Sequence, residues 1–193
     1  FRDFIGAEKH SASTGVIVFD DMLPRTISEA ARDRHTVAWA GDVYKVTMVL
    51  EEYRPDLVVI PVDTAPTGVV VVAGLDPTNT VLTDKYDEII AKHVYDDPQR
   101  VPEEYLNRTT SADPAKLLAS PAWADLLAAR NGSGARPATV GALRAVRGTA
   151  SYVSSPEPAI PWPAKAATPA KPAKPAKPAT SKKKAAPKPP PSA

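Results

Sequence analysis

Gly15-Val-Ile-Val-Phe-Asp-Asp-Met-Leu-Pro24 is the stretch that decides the fold. Val16 to Phe19 form an unbroken β-branched and aromatic run, the pattern of a strand buried on both faces, as in a parallel α/β sheet. The run stops at two adjacent carboxylates, Asp20 and Asp21. Polar groups at the carboxyl end of such a strand stand on the rim where open α/β sheets bind their ligands. Neighbouring carboxylates repel, so a site that keeps both ionised needs a cation or hydrogen-bond donors close by. A plainer reading stays open: the two acids cap the following turn or helix.

Upstream, Phe1 to Lys9 reads as the end of a helix, and Ser11 to Gly15 as the loop into the strand. Downstream, the charged stretch Arg25 to His35 admits a short helix around Ser28 to Arg32. Val43, Val46, Val49, Leu50 and Tyr53 then recur at helical spacing, which predicts an amphipathic helix from about Asp42 to Tyr53 with Asp42 as N-cap. Arg54-Pro55 ends it. Asp56 to Val62 reads as a second strand and Val69 to Ala73 as a third, joined only by Asp63 to Gly68. Parallel neighbours need a crossover of about a dozen residues or more, so these two must form an antiparallel hairpin, with Gly68 at its tight turn. Pro61 inside the second strand predicts a bulge or a place near the sheet edge.

Beyond Asp76 the pattern turns helical, with short helices expected over Lys85–Val94, Glu103–Asn107, Pro114–Ala119 and Pro121–Arg130. Asp113 and Ser120 each precede a proline, the arrangement of an N-cap before an N1 proline. Leu117, Leu118, Trp123, Leu126 and Leu127 are expected to form an apolar face against the sheet, and the core is expected to end near residue 130. The resulting organisation is an α/β domain over 1–77, a helical extension over 78–130, a linker with a short helix over 131–160, and a tail over 161–193.

Charge separates the tail from the body. Of the 24 Lys and Arg residues, eight lie in 161–193, which has no acidic residue; the 22 acidic residues therefore all fall in 1–160, beside 16 basic ones. The tail is almost wholly Pro, Ala and Lys, a composition too poor in apolar bulk to order itself. Its Pro-Ala-Lys triplets at 169–177 match the three-residue turn of polyproline II and line lysines along one edge. This implies either a weak, salt-sensitive contact with a polyanion or a solubilising tail without a specific partner. There are no cysteines, which excludes disulfides, thiolate chemistry and Cys-based zinc sites and fits a cytoplasmic protein. No apolar stretch approaches the ~20 residues of a membrane span.

Three runs, Gly15 to Pro24, Glu29-Ala-Ala-Arg-Asp-Arg-His35 and Trp39-Ala-Gly-Asp-Val-Tyr-Lys45, together resemble the carboxyl-terminal half of class I S-adenosylmethionine-dependent methyltransferases, in particular metal-dependent O-methyltransferases. The resemblance covers residues 1–77 and loosely extends to 130. It implies part of a Rossmann-like seven-stranded sheet in which only the last strand is antiparallel, formed by a hairpin with the sixth. It implies that Asp20 and Asp21 take the position of the metal-binding pair ending strand five, holding Mg²⁺ for a small-molecule hydroxyl acceptor. His35, on the loop after that strand, becomes the candidate catalytic base, with a surface role as its alternative. His10 belongs at the opposite end of the strand, and His93 reads as structural. Arg32, Arg34, Asp42 and Trp39 suit either acceptor contacts or ordinary ion pairs and packing.

The glycine-rich turn that holds S-adenosylmethionine in this family has no counterpart, since neither G-x-G-x-x-G nor a P-loop pattern occurs. With Phe1 as its first residue, the chain is expected to be a fragment of the enzyme, its third metal ligand and cofactor site lying upstream. Two rivals belong to other classes. In a phosphoacceptor receiver domain, Asp20, Asp21 and Asp63 would form the acidic cluster, but a hairpin directly after Asp63 opposes this. In a noncatalytic polyanion-binding adaptor, the tail would be the active part.

Overall fold

Two hydrophobic layers enclose a three-stranded sheet, and the sheet fixes where every candidate residue stands. The computed structural model describes residues 1–132 and 138–152, which belong to one compact unit. The chain runs through α1 (Arg2–Lys9), β1 (Val16–Phe19), a 3-10 turn (Gly41–Tyr44), α2 (Lys45–Tyr53), β2 (Val58–Val62) and β3 (Val69–Ala73). Five short helices follow: α3 (Val81–Asp84), α4 (Tyr86–His93), α5 (Glu103–Leu106), α6 (Pro114–Leu118) and α7 (Ala122–Asn131); a second 3-10 segment spans Ala138–Val146. The architecture is mixed α/β. No helix among the described residues is long and apolar enough to cross a membrane.

The strand order is β1-β3-β2, and both ladders are antiparallel. The expected hairpin is present, with Val62 opposite Val69 and Val58 opposite Ala73. Gly68 sits at φ +63, and a Cβ there would lie 2.6 Å from Leu23 Cδ1, so both backbone and space demand glycine. β2 is an outer strand, as Pro61 requires, and its free side is met by the peptide at Ala112: Ala112 N donates to Pro61 O at 2.7 Å and Asp63 N to Ala112 O at 3.0 Å.

One face of the sheet, carrying Val59, Val70 and Val72, packs on Phe4 of α1, Val46, Val49 and Leu50 of α2, and Ile89 of α4. The other, carrying Val58, Ile60, Val62 and Val71, is covered by Leu117 of α6, Leu126 of α7, and Val140 and Leu143 of the last 3-10 segment. The core therefore does not end near residue 130; the span expected to be a linker with a short helix inserts two buried aliphatic side chains, Val140 and Leu143.

Several expectations are corrected. β1 is not buried on both faces in a parallel pair: it is the other outer strand, bound antiparallel to β3, with Val16 and Val18 37% and 59% exposed. The covering helices of the second layer pack on β2 and β3, which leaves that face of β1 open. No helix forms over Ser28 to Arg32; the buried Glu29 carboxylate binds the Arg25 amide and guanidinium, drawing the chain into turns. Asp42 does not cap its helix, since its carboxylate turns to Lys45 Nζ at 3.3 Å. Asp113 caps α6 as expected, accepting from the amides of Ala115 and Lys116. Leu118 and Leu127 point away from the core, at 77% and 57% exposure.

Candidate functional site

Strand direction gathers the acidic residues at one rim. β1 and β2 both run against β3, so they run the same way as each other, and their carboxyl ends share an edge. Asp20 and Asp21 follow β1 there, Asp63 follows β2, and the hairpin residues Thr67 and Gly68 precede β3. The chain after β1 stays tied to this edge: Met22 N donates to Gly68 O at 3.0 Å and Leu23 N to Thr67 O at 2.6 Å.

Asp20 Oδ1 accepts the amide of its neighbour Asp21 at 2.9 Å, and no helix follows the two acids for either to cap. Asp21 is exposed and sits at φ +59, a left-handed conformation that aspartate tolerates better than most side chains. Its Oδ1 accepts the hydroxyl of Thr67. The donor set, two adjacent hard carboxylates at a sheet rim, fits an ion such as Mg²⁺ that takes one or two carboxylates and keeps several waters. Among the described residues no cluster of three or more His, Cys, Asp or Glu side chains could hold a metal ion.

The rim is braced from below by a residue that the sequence did not single out. Arg108 is 2% exposed and its guanidinium binds the Asp63 carboxylate, Leu23 O at 3.1 Å, Thr64 O at 2.9 Å and Pro66 O at 2.5 Å. One buried cation thus joins the segment after β1, the end of β2 and the hairpin. Asp63 is engaged in this ion pair, and the hairpin to β3 follows it at once. Thr67 and Arg108 were missed because their roles depend on partners 46 and 45 residues distant. The only local signal was a hydroxyl next to the hairpin glycine.

The loop between β1 and the 3-10 turn is organised by Glu29, whose backbone oxygen accepts the amides of Ala40 and Gly41, both at 2.9 Å. His35 stands exposed on this loop. Arg34 donates to the carbonyls of Thr36 and Val37, and Trp39 Nε1 to Ala31 O at 2.7 Å, so both serve the loop itself. Arg32 Nε lies 3.7 Å from Asp42, an ordinary ion pair. Beneath the loop, burial raises the Tyr44 phenol above its usual pKa, helped by its contact with the Tyr95 hydroxyl at 3.3 Å. His10 follows α1 at the opposite end of β1, as expected. The Lys-rich tail lies outside the described residues. The chain matches no family model, no curated protein and no solved structure.

Proposed function

We propose that this chain is the metal- and acceptor-binding part of an S-adenosylmethionine-dependent methyltransferase, its three strands being the last three of a Rossmann-like seven-stranded sheet. One observation carries the reading: β1 and β2 point the same way while β3, formed by the hairpin, runs against both, and the paired acids end the first of them. That is the arrangement expected if only the final strand is antiparallel and the aspartates end strand five.

Asp20 and Asp21 would hold Mg²⁺, which when bound polarises an acceptor hydroxyl and lowers its pKa. The remaining work falls to the chain's own groups. The Thr67 hydroxyl fixes one oxygen of Asp21 and leaves the other for the ion. Arg108 immobilises the hairpin that carries Thr67. His35, on the loop that leaves this rim, is the proposed proton acceptor. The described residues offer no glycine-rich turn for S-adenosylmethionine, so the methyl donor would be bound by residues outside them.

Binding of Mn²⁺ by this chain, followed by electron paramagnetic resonance with Mg²⁺ as competitor, tests the reading. One Mn²⁺ that Mg²⁺ displaces is expected, with affinity at least about tenfold weaker in Asp20→Asn and in Asp21→Asn. Absence of saturable binding, or unchanged affinity in both variants with circular dichroism preserved, would overturn it.

A further inference from the structure

The cations of the folded body are largely turned onto the body itself. Of the 16 Lys and Arg residues in 1–160, at least eight stand in ion pairs with its own carboxylates. These run from the buried Arg54–Glu8 and Arg108–Asp63 pairs to Lys92–Glu52 and Arg147–Glu51 nearer the surface. Arg34 and Arg144 donate to backbone carbonyls. With 22 acids against 16 bases, residues 1–160 carry a net −6. A polyanion approaching the body meets net repulsion.

The compensating charge is concentrated in 161–193, outside the described residues, as eight lysines with no acid. From Ala164 onward this stretch uses only Ala, Lys, Pro, Ser and Thr. Its period is longer than the Pro-Ala-Lys triplets. Every third residue from 165 to 183 reads Lys165, Thr168, Lys171, Lys174, Lys177, Thr180 and Lys183, five cations and two hydroxyls in one register. Prolines at 169, 172, 175 and 178 each follow a member of the row. In polyproline II, the backbone that such a sequence favours, residues three apart share an edge and stand ~9 Å from one another. The pattern therefore specifies a row of donors ~56 Å long, the span of about 16 base pairs.

We propose that residues 161–193 form a binding arm for double-stranded DNA that contacts the phosphate backbone and leaves the bases unread. A duplex carries one charge per ~1.7 Å of axis, a far denser target than a net −6 spread over the body. What the arm lacks defines its partner further. Single strands are gripped by aromatic stacking, and no aromatic residue follows Trp162. Base edges are read chiefly by Arg, Asn and Gln, and 161–193 contains none of them. Membrane-bound basic segments join their charge to an apolar anchor, and no side chain after Trp162 is bulky and apolar. The arm uses no residue of the acidic rim and does not depend on methyl transfer.

Fluorescence anisotropy of the full chain with labelled duplexes of about 20 base pairs, in two unrelated sequences, tests this. Affinities equal within about twofold are expected, with a slope near −7 for log affinity against log salt, a loss of about 10⁴-fold between about 50 and 200 mM. Lys182→Gln/Lys183→Gln/Lys184→Gln should reduce the slope to about −4.5. Exchanging all eight tail lysines for Gln should weaken binding by about 100-fold or more while circular dichroism stays the same. Duplex binding that survives the eightfold exchange, or a preference of about tenfold for one sequence, would overturn the proposal. So would single-stranded DNA or phosphatidylserine vesicles bound as tightly as the duplex at equal salt.

Discussion

Arg54 and Glu8 form a two-pronged ion pair in the interior, with Nη1 2.6 Å from Oε2 and Nη2 2.9 Å from Oε1, and both residues are buried. Glu8 also accepts the Asp76 amide at 3.1 Å, and Arg54 reaches Asp56 at 2.9 Å. The pair therefore joins α1, the end of α2 and the chain leaving β3. Burial works against the charge on Arg54, but its bonds to Asp56 and Glu8 prevail and raise its pKa. Glu8→Gln should destabilise the chain by about 3 kcal/mol or more, because the amide cannot accept both prongs and leaves a buried guanidinium underpaired. The double replacement Glu8→Leu/Arg54→Leu should recover most of that loss. Urea denaturation of the two variants decides the matter; a double variant no more stable than Glu8→Gln would contradict it.

Arg108 performs the corresponding task at the acidic rim. Arg108→Met leaves the Asp63 carboxylate and three backbone carbonyls without their donor, with a loss of about 3–5 kcal/mol expected. The same variant should lose amide protection at Met22 and Leu23, whose bonds to Gly68 and Thr67 depend on the hairpin position. Hydrogen exchange reads that directly.

Two glycines should respond to alanine with opposite signs. Gly68→Ala meets Leu23 side-chain atoms at 2.6–2.8 Å in a left-handed backbone, and should cost about 2 kcal/mol or more. Gly6 lies inside α1, where an added Cβ meets nothing within 4 Å, and Gly6→Ala should stabilise by about 0.5–1 kcal/mol. Thermal or urea midpoints of the pair provide the check.

His93 gives stability a pH dependence of defined sign. Burial holds its imidazole below the ordinary histidine range, and Glu52 only partly opposes this, while Lys92 and Lys45 add to it. The unfolded chain takes up the proton at about pH 6.5, the folded chain at lower pH. The contribution is therefore complete above about pH 6.5 and is lost as pH falls below it. His93→Gln should flatten this part of the profile, visible as a smaller change in urea midpoint between about pH 7.5 and about pH 5.

Local pattern foretold the elements wherever the chain's own chemistry suffices. The period of α2, the six-residue gap that forces the β2–β3 hairpin, Gly68 at its turn and Asp113 as a cap were all readable, because each follows from spacing or backbone preference within a few residues. Val16 to Phe19 was read as strand but misplaced in the sheet. An apolar run reports that a strand can be buried, while its neighbours and its covering helices decide whether it is.

What sequence alone determined about this protein is its set of strands and most of its helices, its paired acids and the charge split between body and tail, since these depend on side-chain type and near spacing. Only the tertiary structure decided that β1 lies at the sheet edge beside β3, that Thr67 binds Asp21, that Arg108 braces the rim, and that His93 is buried beside Glu52. Those contacts join residues tens of positions apart, and their partners are set by how two helical layers close over the sheet, a many-body packing outcome that no local pattern encodes.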